Sequence, residues 1–157
     1  MGIALQSPAF GPGAQIPAVH TADGRDVSPP IQWSGIPADA EELALICDDP
    51  DAPRAEPWVH WVIHGISPTE HGLTEGVAKA PNPTSPTGAR QGVNDFGRIG
   101  FGGPAPPRGH GTHHYHFRLY VLDKGLNLRA GASKKELLAA MEGHVLGQGE
   151  LVGTYQR

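Results

Sequence analysis

Glycine and proline recur so closely along this chain that few segments are long enough to form a helix. The 157 residues include 22 glycines and 16 prolines. Proline fixes a backbone angle and glycine favours turns, so such a chain folds most readily into short strands joined by many turns. This punctuation therefore favours a mainly β fold.

Four runs of residues predict the main strands. Residues 31–33 form a short strand, and residues 58–66 form a longer one rich in β-branched and aromatic side chains. Residues 42–48 are nearly all apolar, which predicts a strand buried on both faces. Residues 115–123 alternate most clearly, so the odd-numbered side chains from His113 onward share one face of their strand.

One helix is predicted, over residues 133–143. Ser133 and Glu136 have the spacing of a capping box, in which each residue bonds the backbone of the other. An apolar stripe follows at helical spacing. Residues 146–155 are expected to form a short helical turn and then a final strand.

The least regular stretch is residues 79–112, which is long for a loop in a compact domain and is therefore typical of a functional or flexible segment. We expect residues 80–91 to be flexible and residues 92–112 to be ordered around a site. The glycines at positions 97, 100, 102 and 103 suggest a nest of backbone N–H groups for an anion.

Composition narrows the class of protein. The length predicts a single domain over residues 1–157, and a net charge of −4 disfavours non-specific nucleic-acid binding. The chain has no run of 18 apolar residues and no secretory signal, so we expect no membrane span. The single cysteine, Cys47, excludes an intrachain disulfide and fits a reducing compartment, which predicts a cytoplasmic protein. Cys47 lies in an apolar run and is expected to be buried and inert.

Asp49 marks the clearest candidate site. It lies at the end of an apolar strand face, where Pro50 ends regular pairing. A carboxylate at such a rim is partly desolvated and needs donors, which His113 and Tyr115 at the start of another strand face would supply. This predicts a pocket with a polar rim and an apolar wall. Taken alone, Asp49 and Asp51 are better explained by turn chemistry, since aspartate beside proline is common in Asx-turns.

Other site chemistries have weaker support. His60 and His64 would share one face of a strand but lie roughly 13 Å apart, too far to bind one metal ion. Four histidines cluster between positions 110 and 116, without paired cysteines or a His-Glu-x-x-His motif. No Gly-x-Ser-x-Gly elbow occurs. A hydrolase that uses Asp49 and His113 as an acid–base pair stays an alternative, although it lacks an evident nucleophile.

Several longer motifs occur in order along nearly the whole chain. They are Ile16-Pro17, Asp23-Gly24, Ser28-Pro29-Pro30-Ile31-Gln32-Trp33, Asp49-Pro50-Asp51-Ala52-Pro53, Trp58-Val59-His60-Trp61, Gln91-Gly92-Val93-Asn94-Asp95-Phe96-Gly97, Gly102-Gly103-Pro104, Pro106-Pro107, Gly111 to Tyr115, and Leu151-Val152-Gly153-Thr154-Tyr155. In these motifs the chain resembles the phosphatidylethanolamine-binding protein family, which includes the Raf kinase inhibitor proteins. It is most similar to the short bacterial and archaeal branch.

The resemblance implies a large antiparallel sheet packed with a smaller one, with peripheral helices and a small anion pocket. Matched motif by motif, the pocket residues implied by the family are Asp49, Pro53, His60, Ala105, Pro107, His113 and Tyr115. The family's pocket accepts phosphate-type groups, such as the head group of phosphatidylethanolamine. The chain departs from the family where His114 replaces an arginine and Ala105 a cysteine, and it lacks the C-terminal extension of mammalian members.

Together these features predict a non-enzymatic binding protein without a cofactor. Its ligand would be a small anionic or phosphorylated group, and its protein partner would be a kinase or a protease. Similarity to bacterial members predicts a homodimer. The tight Asp-Pro-Asp-Ala-Pro turn, together with the resemblance, predicts a cis peptide bond at Ala52-Pro53.

Overall fold

The computed structural model describes residues 2–157, so Met1, the first residue of the predicted domain, lies outside the described residues. The described elements are, in chain order, β1 (Ala4–Gln6), a 3-10 turn (Ala18–His20), β2 (Ile31–Ser34), β3 (Glu42–Asp49), β4 (Trp58–Ile66), β5 (Gly72–Leu73), β6 (Arg90–Gln91), β7 (His113–Leu122), α1 (Lys134–Met141) and β8 (Val145–Tyr155).

These strands form two antiparallel sheets. The smaller has the order β1-β2-β5 and the larger the order β6-β4-β3-β7-β8. The prediction of a mainly β fold, with a large sheet packed with a smaller one, is confirmed. Within residues 2–157, no helix has the length and apolar character needed to cross a bilayer.

The main core lies between the two sheets. Leu5 and Trp33 enter it from the smaller sheet, and Leu45, Trp61 and Phe117 enter it from the larger sheet. Each side chain of this size contributes about 1.5–3 kcal/mol when it is buried. The two sheets therefore hold each other mainly by apolar burial.

A second apolar cluster covers the opposite face of the larger sheet. Ala44 and Ile46, which alternate with the core residues of β3, pack with Val62 and with Leu137 and Met141 of α1. The central strand β3 is consequently buried on both faces, as its sequence predicts.

The helix α1 begins as predicted and is tied to the sheet by charge. The Ser133 hydroxyl accepts from the Glu136 N–H at 3.1 Å, and the Glu136 carboxylate accepts from the Ser133 N–H at 3.1 Å. Asp48, which is 1% exposed, accepts from Lys134 Nζ at 2.7 Å and from Arg118 Nη1 at 3.2 Å. These two cations offset the cost of burying the carboxylate.

The end of the chain differs from the prediction. The helical turn expected at the start of residues 146–155 is wrong, because β8 pairs with β7 from Val145 to Tyr155. Glycines in β8 create space for the N-terminal segment: a Cβ at Gly149 would lie 2.6 Å from the Ile3 carbonyl oxygen. Strand pairing and close packing therefore outweigh the local sequence signal.

The segment 80–91, expected to be flexible, ends in an ordered strand. Arg90–Gln91 pairs with β4 as strand β6. The buried Gln91 side chain accepts from Trp61 Nε1 at 2.8 Å and donates to the carbonyls of Ala78 and Ala80 at 2.7 and 2.8 Å. The C-terminal end of this segment is therefore fixed against the core.

Candidate functional site

A cavity of about 360 Å³ opens where β3 ends and where β4 and β7 begin. Its lining residues are Asp49, Ala52, Pro53, Trp58, His60, Phe96, Ala105, Pro106, Pro107, His113 and Tyr115. All seven residues implied by the sequence are among them. The structure thus brings together segments that lie up to 66 positions apart in the chain, as counted from Asp49 to Tyr115.

The Asp49 carboxylate both contacts a histidine of the site and forms a turn, the two interpretations that its sequence context allows. One carboxylate oxygen, Oδ2, accepts from His113 Nδ1 at 2.6 Å, and the other, Oδ1, accepts from the Asp51 N–H at 2.8 Å. The second bond is an Asx-turn, which reverses the chain after β3.

The prediction of a cis bond at Ala52-Pro53 is wrong: the cis peptide bond among residues 2–157 is Ser85-Pro86.

The His113 side chain, 1% exposed, lies between two partners. Nδ1 donates to Asp49, and Nε2 lies 2.6 Å from Nδ1 of His110, whose ring centroid is 4.8 Å away. His110 is exposed and stands between Gly109 and Gly111, which have φ angles of 74° and 93°. The sequence placed His110 only within a histidine cluster and missed its contact with His113.

His60 reaches the cavity through a β-bulge. Cys47 pairs with Trp61 and Asp48 pairs with Val59, so His60 is an extra residue opposite β3. A bulge of this kind turns a side chain to a new direction. The His60 ring packs edge-on against Tyr115 at 5.1 Å, and its Nδ1 donates to a carbonyl 2.6 Å away. Burial lowers the pKa of His60, so the neutral ring is favoured.

The expectation that His60 and His64 share a face is wrong. His64 lies in a separate cavity of about 290 Å³ with Glu42 and Arg90. The register shifts in β4 separate the two side chains.

Two buried donors in the cavity wall lack partners. The Tyr115 hydroxyl and Trp58 Nε1 find no hydrogen-bond partner among the described residues. Burial, reinforced by Asp49, raises the pKa of Tyr115, so its hydroxyl keeps its proton and remains a donor. Buried polar groups are nearly always paired, so each orphaned group points to a missing acceptor.

The predicted anion nest in the glycine-rich loop is wrong. The N–H of Gly102 donates to the His60 carbonyl at 2.8 Å, and that of Gly103 donates to Asp26 Oδ1 at 2.6 Å. The N–H groups of Gly97 and Gly100 also donate to carbonyls. These four groups hold the loop in place and leave no donor for a ligand.

The aromatic wall was also missed. Phe96 packs edge-on against Trp58 at 5.3 Å and against His60 at 5.5 Å, and it is 42% exposed. Both aromatics lie in the family motifs, which was the only sequence signal for them. Their contribution is an apolar surface beside the polar groups.

The structure also bears on the burial of Cys47 and on the side chains that could hold a metal ion. Cys47 is buried, as predicted, and burial raises the pKa of its thiol well above the usual value. Across residues 2–157, no three His, Cys, Asp or Glu side chains converge on a point where they could hold one ion.

Comparisons with known proteins agree with the fold. The phosphatidylethanolamine-binding protein family model matches residues 6–156. The chain is 51% identical over 153 residues to a UPF0098 protein of Methanothermobacter thermautotrophicus, and the match covers 98% of each chain. Among solved structures it is similar to a phosphatidylethanolamine-binding protein homologue from Chlamydia trachomatis (TM-score 0.89, 37% identity, 99% of this chain and 98% of the other). It is also similar to Escherichia coli YbcL (TM-score 0.93, 29% identity, 100% and 99% covered), described as a member of the mammalian family.

A more distant likeness concerns the fold alone. It is to a carboxypeptidase Y inhibitor solved in complex with its cognate proteinase (TM-score 0.55, 20% identity, 98% of this chain and 82% of the other).

Proposed function

The chain belongs to the phosphatidylethanolamine-binding protein family, and from this premise we propose that it is a binding protein whose cavity holds a small phosphate or carboxylate group. The observation that carries the proposal is the pair of buried, unpartnered donors, the Tyr115 hydroxyl and Trp58 Nε1. An anion that accepts from both would satisfy groups that otherwise weaken the fold.

The remaining site residues have distinct roles in this proposal. His113 and the Ala105 N–H, which donates to no acceptor among the described residues, would add donors to the anion. His113 Nε2 is engaged by His110 in this structure, so the ligand would take the place of His110. His60, Pro53 and Pro107 would shape the wall around the bound group.

Asp49 restricts which anions bind. It is the one carboxylate among the described lining residues. A dianion beside it is favoured only when His113 carries a second proton and offsets the carboxylate charge. A ligand with an ammonium group, such as phosphoethanolamine, would instead pair its cation with Asp49.

The test is calorimetric titration of inorganic phosphate and phosphoethanolamine into the wild type and a His113→Ala variant. Loss of a hydrogen bond to a charged group costs about 1.5–3 kcal/mol, or roughly 10- to 150-fold in Kd. His144→Ala is the matched control, because His144 is a partly exposed imidazole bonded to Asp123 at 2.9 Å, outside the cavity lining. Equal affinities for wild type and His113→Ala would reject the site.

A protein partner is the second part of the proposal. Members of the family include binding proteins and inhibitors, so the cavity would recognise a phosphorylated or acidic side chain of a kinase or a protease. Pull-down from host lysate with wild type and Tyr115→Phe tests it: a partner that both proteins capture equally does not use the cavity.

A homodimer and a cytoplasmic location complete the proposal. Light scattering should give twice the chain mass of 16.6 kDa at micromolar concentration. A mass near 16.6 kDa would reject the dimer, and recovery of the protein from a membrane or secreted fraction would reject the location.

A further inference from the structure

Three polar side chains line the cavity of about 290 Å³ that contains His64, and its described lining residues are all different from those of the Asp49 cavity. Glu42, His64 and Arg90 come from β3, β4 and β6, which are adjacent strands of the larger sheet. His64 pairs directly with Arg90 in the strand register. Because β4 lies between β3 and β6, His64 stands between an acidic and a basic side chain.

The His64 side chain has an unsatisfied polar atom. The residue lines the cavity and is 1% exposed, and its Nε2 has no hydrogen-bond partner among residues 2–157. Desolvation, reinforced by the charge of Arg90, lowers the pKa of His64, so the ring is neutral at pH 7. A buried polar atom without a partner is rare in a folded protein, so this nitrogen points to a missing group in the cavity.

The two charges of this cavity are not neutralised by ion pairs. Within the described chain, neither Glu42 nor Arg90 forms an ion pair closer than 4.0 Å, with each other or with a third residue. The Glu42 carboxylate accepts from the N–H groups of Leu126 and Gly65 at 3.0 and 3.1 Å, which leaves further lone pairs on both oxygens. Arg90 Nη1 donates to the Leu128 carbonyl at 2.7 Å, and a guanidinium has four more N–H groups.

We propose that this cavity is a second binding site, for a small zwitterion of the size and charge of a free amino acid. The carboxylate of the ligand accepts from Arg90, and its ammonium group donates to Glu42. Neutral His64 suits this ligand in both tautomers, because an N–H at Nε2 donates to the carboxylate and a lone pair at Nε2 accepts from the ammonium group.

The charges also select against other small ligands. A simple anion would be repelled by Glu42, and a simple cation would be repelled by Arg90, so a ligand that carries both charges is favoured over either. The volume lies at the low end of the range for ligand cavities, which suits a molecule of few atoms.

The experiment is calorimetric titration of L-alanine into the full chain, with two comparison ligands of nearly the same shape. L-lactate keeps the carboxylate and lacks the ammonium group, and L-alaninol keeps the ammonium group and lacks the carboxylate. We expect saturable binding of L-alanine with a Kd below about 10 mM. Each comparison ligand loses a hydrogen bond between charged groups and should bind at least about 10-fold more weakly.

A steric variant locates the site. Gly125 lines the cavity, and a Cβ there would first meet Glu42 Oε1 at 4.0 Å, so Gly125→Val fits the backbone and fills space beside Glu42. Gly11→Val is the matched control, because a Cβ at Gly11 meets open space outside this cavity. Gly125→Val should lose L-alanine binding and Gly11→Val should keep it. Arg90→Gln should raise the Kd about 10- to 150-fold, and Gly125→Val decides the question even if loss of the bond to Leu128 loosens the Arg90 variant.

Three results would overturn this inference. Absence of saturable L-alanine binding would mean that water alone fills the cavity, and full binding by Gly125→Val would place the ligand elsewhere. Equal affinities for L-alanine and L-lactate would show that the ammonium group is not recognised. Tyr115→Phe should bind L-alanine as the wild type does, because Tyr115 lines the other cavity. Failure of this inference therefore leaves the phosphate titration unaffected.

Discussion

Removing the Tyr115 hydroxyl should make the ligand-free protein more stable and its ligand binding weaker. Tyr115 is 1% exposed, and its hydroxyl finds no partner among the described residues. Tyr155, which is 7% exposed, gives the matched control, because its hydroxyl donates to Asp23 Oδ2 at 2.7 Å. The same substitution, tyrosine to phenylalanine, therefore removes an unpaired donor at one position and a paired donor at the other.

The magnitudes follow from the two environments. An unsatisfied buried polar group costs about 1–3 kcal/mol, and water that enters the cavity recovers part of this, so Tyr115→Phe should raise the free energy of unfolding by about 1 kcal/mol. Tyr155→Phe should lower it by about 1 kcal/mol, since Asp23 is partly exposed and keeps its bond to Arg157. For a chain of this length, each change shifts Tm by about 3 °C, in opposite directions.

Urea unfolding of both variants measures the two signs, and titration with phosphoethanolamine measures binding. We expect Tyr115→Phe to be the more stable protein and the weaker binder, which is the signature of a hydroxyl retained for a ligand. If Tyr115→Phe loses as much stability as Tyr155→Phe, the hydroxyl has a partner in the folded protein. The proposed anion site would then lose one of the two unpartnered donors on which it rests.

Three other predictions concern the core. Burial lowers the pKa of His64 to about 4, so below about pH 6.5 the unfolded chain binds a proton that the folded one does not; wild type should lose about 2 kcal/mol more stability than His64→Gln between pH 7 and pH 4.5 in urea unfolding, and equal losses would contradict this. Cys47, whose thiol pKa is raised by burial, should react with an aromatic disulfide reagent only as the protein unfolds, and labelling at the rate of free cysteine would argue against it. Lys134→Met should cost about 1–2 kcal/mol in the same unfolding assay, because buried Asp48 keeps Arg118 alone, whereas no loss would mean that the ion pair is not stabilising.

The sequence predicts most of what depends on periodicity and local chemistry. The alternation along β7 and the continuous apolar run of β3 predict which side chains face the core. The ends of the same two runs place Asp49 at the end of one strand and His113 at the start of the other. Antiparallel pairing of these strands brings the two residues to one edge of the sheet. The capping box at Ser133 needs only residues three apart, which is why it is predicted correctly.

Features that depend on register or distant packing are missed. A bulge at His60 cannot be predicted from alternation, because one extra residue reverses the face of every side chain beyond it. The contact between His110 and His113 depends on how a glycine-flanked loop folds back over the strand. The nest predicted in residues 97–103 fails because strand β4 and Asp26, distant in sequence, use its donors.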